Sequence, residues 1–127
     1  MEINKPDIVA EVEKAFAEYE RALVENDVAV LDRLFWDSEH TIRYGAAENL
    51  YGYSEIAAFR ASRPSSGLMR QQVRPEITTF GDDFAVANTM FTRDNAPGKI
   101  GRQSQTWVRT PEGWRVVSAH VSVIEAD

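Results

Sequence analysis

Apolar residues recur every three or four positions from the N-terminal end of the chain: Ile8, Val12, Phe16, Tyr19 and Leu23. That spacing predicts a helix over residues 6–25 with one buried stripe. Pro6 suits its first turn, where a missing N–H costs nothing. Asn26-Asp27 breaks the pattern, and Asp27 is placed to cap a short second helix with Val28, Leu31, Leu34 and Phe35 on its apolar face. From residue 40 the period changes. His40-Thr41-Ile42-Arg43-Tyr44-Gly45 predicts a short strand ended by glycine, and Leu50-Tyr51-Gly52-Tyr53 a brief extended piece or turn. Ser54 is expected to cap a third helix that runs through Ile56 and Phe59 until Pro64 stops it.

The second half is rich in Val, Thr, Ile, Phe and Trp over 68–80, 84–94, 99–109 and 114–124, which predicts four strands. Gly81-Asp82-Asp83, Asp94-Asn95-Ala96-Pro97-Gly98 and Thr110-Pro111-Glu112-Gly113 carry turn chemistry between them. Links this short force antiparallel neighbours. The order predicts an α+β fold: three N-terminal helices packed on a curved, mostly antiparallel sheet, with a cavity between the layers.

Composition narrows the picture. A chain of 127 residues suits one domain over 1–127. The 20 acidic against 14 basic residues leave a net charge of −6, which argues against a nucleic-acid partner. Acids crowd the first helix at Glu11, Glu13, Glu18, Glu20 and Glu25, and their interleaving with apolar residues predicts a solvated face. The absence of cysteine excludes disulfides, zinc-thiolate sites and thiol catalysis. No apolar run approaches the ~18 residues of a membrane span, and Met1-Glu2-Ile3-Asn4-Lys5 lacks signal-peptide features, so the expected location is cytoplasmic. The two histidines have no metal-ligand spacing, and a metal site is not expected.

Candidate chemistry lies in polar residues on strands that should be half buried. On the last strand Val117, Ala119, Val121 and Val123 are expected to share one face, and Val116, Ser118, His120, Ser122 and Ile124 the other. The preceding strand offers Gln103, Gln105 and Trp107 on one face. These residues form either a pocket wall or a face open to water. Tyr19, on the buried stripe, either points its hydroxyl into the cavity or fills core. Arg43, mid-strand, and Arg60 and Arg63, on the third helix beside Ile56 and Phe59, either turn inward or pair with surface acids, and Arg102 stands beside Gln103. An inward arginine implies an anionic partner, because a buried unpaired guanidinium is costly. Guanidinium also matches carboxylate in bidentate fashion.

The stretches Tyr19–Leu23, Arg43-Tyr44-Gly45, Glu48–Gly52, Ile56–Arg60, Arg63-Pro64, Gly101–Trp107 and the ending Gly113-Trp114-Arg115…His120-Val121-Ser122 carry a resemblance. The chain resembles the nuclear transport factor 2-like (cystatin-like cone) superfamily, and within it the family of the oxalurate-catabolism protein and 1,3-dicarboxyurea decarboxylase. The resemblance implies a cone fold, a homodimer through the outer sheet face, a place near an amidase in ring-nitrogen catabolism, and site residues at Tyr19 and Arg43. The reading that combines these expectations is a cofactor-free lyase that decarboxylates a small N-carboxylated urea of the dicarboxyurea or oxalurate type. Tyr19, Arg43 and His120 would be catalytic, and Arg60, Gln103, Gln105, Trp107 and Ser122 would bind substrate. The alternative is a non-catalytic accessory that binds a pathway intermediate or an amidase.

Overall fold

The structure, a computed structural model, describes residues 1–127. Helix α1 (Pro6–Glu25) buries the predicted stripe, Ile8, Val12, Phe16, Tyr19 and Leu23, together with Ala22. It ends at Asn26, whose left-handed φ of 54° lets its N–H return to the carbonyls of Ala22 and Leu23. Helix α2 (Val28–Leu34) is capped as predicted, with the Asp27 carboxylate accepting from the Val30 N–H at 3.3 Å.

Strands β1 (Ile42–Tyr44) and β2 (Asn49–Tyr51) form a small hairpin, and helix α3 (Tyr53–Ser62) follows. The cap of α3 differs from the expectation. It falls on Gly52 rather than Ser54, because the chain must turn through a φ of 87°, which only glycine takes without strain. Glu55 in the first turn reaches back to the Tyr51 N–H at 2.9 Å.

The meander is β3 (Gln71–Phe80), β4 (Phe84–Thr92), β5 (Lys99–Thr110) and β6 (Gly113–Glu125). All six strands form one sheet in the order β2-β1-β6-β5-β4-β3. Only the β1–β6 pairing is parallel, with Arg43 beside Ala119. The helices cover one face, as predicted for an α+β cone.

That inner face is divided. One half is hydrocarbon: Ala85, Ala87, Trp107, Trp114 and Val116 are buried against Ile8, Val12, Phe16 and Leu31. The other half carries Thr89, Phe91, Gly101, Gln103 and Gln105, which are buried but mostly polar. At ~25 cal/mol per Å2 of apolar surface buried, the first half supplies the folding drive and the second contributes little.

A β-bulge sets which residues face inward on β6. Thr106 pairs with Ser118 and Trp107 with Val116, so Val117 is an extra residue. Strict alternation put Val116, Ser118, His120 and Ser122 on one face. Instead Trp114 and Val116 are inside on one flank of the bulge and Ala119 on the other, while Ser118 and His120 are exposed. Deleting Val117 would remove the extra residue and leave an unbroken alternation with Val116 and Ala119 inward and Ser118 and His120 outward. That variant is expected to keep cooperative thermal unfolding followed by circular dichroism, because the same side chains stay in the core. Val117→Ala, which keeps the register, is expected to stay within ~1.5 kcal/mol of the parent.

Candidate functional site

The polar half of the inner face is built around arginines, three of which are neutralised. Arg43 donates through Nη1 to Glu48 Oε1 at 2.8 Å and lies over the Phe59 ring at 5.7 Å. Glu48 can reach it because residue 45 is glycine: a Cβ there would stand 1.8 Å from Glu48 Oε1. Arg60 is 5 % exposed, bonds Asp32 Oδ1 at 2.7 Å and lies over Phe35 at 4.7 Å. Arg70 grips Glu20 with two bonds, Nε to Oε2 at 2.8 Å and Nη2 to Oε1 at 2.6 Å. Glu20 thus leaves the solvated acidic face predicted for α1 and serves the interior.

Arg63, at the end of α3, and Arg93, just past β4, have no carboxylate. Both are half-buried. Nε and Nη2 of Arg63 and Nε of Arg93 are buried without a hydrogen-bond partner. Burial pushes the Arg63 guanidinium below the usual arginine range, and the charges of Arg60, Arg43 and Arg93 add to this, while Tyr19 opposes it. Burial likewise pushes Arg93 down, with Arg70 adding to it and Glu20 and Tyr19 opposing. The five guanidiniums and the Tyr19 hydroxyl are therefore one electrostatic cluster. Five arginines against Glu20, Asp32 and Glu48 leave a local excess of two positive charges inside a chain of net charge −6.

Two amides join the cluster. Gln103 Oε1 accepts from Arg70 Nη2 at 3.1 Å, and Gln105 Oε1 accepts from the Trp107 indole N–H at 3.1 Å. These bonds orient each amide and leave both Nε2 donors buried and unpartnered. Phe91 lies under Arg70 at 4.4 Å and Arg93 at 4.8 Å, and it covers Gly101, its cross-strand neighbour. A Cβ on residue 101 would meet that ring at 2.1 Å. The cluster thus offers donors in excess of acceptors. It suits an anion with a neighbouring carbonyl and would repel a metal ion; no three acidic or imidazole side chains converge elsewhere to ligate one. A cavity of about 250 Å3 between the 64–69 and 93–98 loops adjoins the cluster, lined by Gly67, Met69, Arg70, Thr92, Asp94 and Asn95.

The structure brings Tyr19, Arg43, Arg60, Gln103 and Gln105 to one side of the sheet. It separates two predicted residues from them and commits a third, Trp107, to the core beside Gln105. His120 is exposed on the outer face, edge-on to Tyr44 at 5.7 Å. Ser122 accepts from Arg102 Nε at 3.1 Å on that same face. Both corrections follow from the Val117 bulge. Trp107 is fully buried core whose one polar atom is spent on Gln105, so it positions an amide and has nothing left to offer a ligand. Arg70 and Arg93 escaped the sequence reading. Arg93 extends the buried alternation Ala85, Ala87, Thr89, Phe91, which could have revealed it, whereas Arg70 precedes its strand and nothing local marks it.

Comparisons with known proteins agree with this fold. A family model described as AtzH-like matches residues 1–127. The chain is similar to a DUF3225-family protein of unknown function from Pectobacterium atrosepticum, with 59% identity over 97% of this chain and 95% of that one, and a TM-score of 0.94. It is similar to a cystatin-like fold protein from Burkholderia xenovorans, with 50% identity over 100% and 99% of the two chains and a TM-score of 0.95. A nuclear transport factor 2-like superfamily protein from Salmonella enterica, 24% identical over 95% and 92% with a TM-score of 0.70, shares the fold. No functionally curated protein matches. No helix is long and apolar enough to cross a membrane.

Two substitutions test the framework. Glu20→Ala strands Arg70, whose side chain is 2 % exposed, and is expected to cost about 3–5 kcal/mol in urea unfolding. Gly101→Ala must displace Phe91 from beneath two guanidiniums and is expected to cost about 1–3 kcal/mol by the same measurement.

Proposed function

Because the chain belongs to the AtzH-like family, we propose that its inner face binds a small anionic urea derivative and removes a carboxyl group from it without a cofactor. The observation that supports this most directly is the donor excess: two uncompensated arginines and two buried amide Nε2 groups with nothing in the chain to accept from them.

The chemistry asks little of the protein. In an N-carboxylated urea the bond from nitrogen to the carboxyl carbon breaks. Its electron pair stays on nitrogen, that nitrogen gains a proton, and carbon dioxide leaves. The carboxylate that remains is held by the uncompensated arginines, while Arg43 keeps its pair with Glu48. Arg60 stays with Asp32 and contributes charge at a distance. Gln103 and Gln105 donate to the urea carbonyl. Tyr19 supplies or relays the proton, since His120 faces outward and no free carboxylic acid stands in the cluster. General-acid help of this kind is worth ~10²–10⁴ in rate.

A second reading has its own support. A cluster made of arginines and amides, with Tyr19 as its one phenol, is well built for binding and sparse for catalysis. On that reading the protein carries an intermediate and does no chemistry.

The two are separated by mixing the purified protein alone with 1,3-dicarboxyurea and following carbon dioxide release. The lyase reading expects release well above the buffer rate, and a fall of ~10² or more for Tyr19→Phe. Release no faster than in buffer rejects the lyase and leaves the carrier.

A further inference from the structure

We infer that the ligand's carboxylate is seated between Arg63 and Arg93, with the Gln103 and Gln105 amides donating to an acceptor oxygen beside it. This deepens the reading of the inner face as an anion site and is independent of whether chemistry follows.

Three of the five arginines are already committed within the chain. Arg43, Arg60 and Arg70 each hold a carboxylate at 2.6–2.8 Å. A ligand can use them only by breaking an existing pair. Arg63 and Arg93 have no such debt. The geometry of the free atoms is informative. Arg70 takes Glu20 along one guanidinium edge, through Nε and Nη2. The unpartnered atoms of Arg63 are the same two, Nε and Nη2, so it presents an open copy of that edge. Arg93 adds a third free donor, its own Nε. The two arginines repel one another, and a carboxylate between them would remove that repulsion.

The amides make this a built site. Gln103 is 3 % and Gln105 1 % exposed, and both have Nε2 unpartnered. Their Oε1 atoms are committed to Arg70 and Trp107, so neither can turn to present an acceptor without breaking a buried bond. A ligand satisfying all these donors has a carboxylate and an adjacent carbonyl, and lies flat among the guanidinium planes and the Phe91 and Phe59 rings. Oxamate has these features in a small, stable ion.

A buried cation without a partner destabilises the empty protein, so removing it should cost affinity and not stability. The test is calorimetric titration of the full-length protein with sodium oxamate, alongside thermal unfolding without ligand. Arg63→Gln and Arg93→Gln are each expected to weaken oxamate binding by ~10-fold or more, with a ligand-free Tm equal to or above the parent's. Arg102→Gln, on the outer face, is expected to bind oxamate as the parent does. Unchanged affinity in both Arg63→Gln and Arg93→Gln would overturn the seat while leaving the anion-site reading intact. Weakened binding together with a lowered Tm would make the two arginines structural and overturn it as well. Failure of the parent protein to bind oxamate at all would remove both.

Discussion

A guanidinium taken out of water needs a carboxylate, an aromatic face or a ligand, and that requirement organises the interior of this domain. Each of the three satisfied arginines crosses a boundary between elements. Arg43 joins β1 to the turn before β2, Arg60 joins α3 to α2, and Arg70 joins the approach to β3 to α1. The same pairs that neutralise the charges therefore hold the helices against the polar half of the sheet, where hydrocarbon contact is scarce. Aromatic rings lie under four of the five guanidiniums in this cluster and add cation–π contact.

The division of the inner face is a division of labour. Packing of Trp107, Trp114, Val116 and the α1 stripe stabilises one half. The other half tolerates unpaired donors that a core built for stability alone would exclude. Concentrating the polar burden in one place is how proteins commonly reconcile a stable fold with a destabilised binding site. Two glycines are part of that arrangement. Gly45 makes room for the Glu48 carboxylate, and Gly101 for the Phe91 ring, so both exist for a neighbour's side chain and not for their own backbone freedom.

Much of the architecture was legible in the chain. The α1 stripe, the Asp27 cap and the four meander strands follow from periods of 3.6 and 2 and from turn residues, all of which act within a few positions. Arg43, Arg60, Gln103 and Gln105 could be named as candidates from the chain, but whether they turn inward stayed open until packing fixed which face of the sheet the helices cover. The roles expected of His120 and Ser122 failed on one inserted residue. A strand's side-chain period is two, so Val117 reversed every later position on β6, and no local signal distinguishes a bulge from continued alternation. The parallel pairing of β1 with β6 was equally invisible, because it joins segments more than seventy residues apart.

By itself the sequence determined the elements, their order and the supply of arginines and amides, since propensity and periodicity are local. The tertiary structure alone decided which arginines are spent and which are free. Their carboxylates lie 5, 28 and 50 residues away along the chain, and only folding brings each to its guanidinium and leaves Arg63 and Arg93 with none.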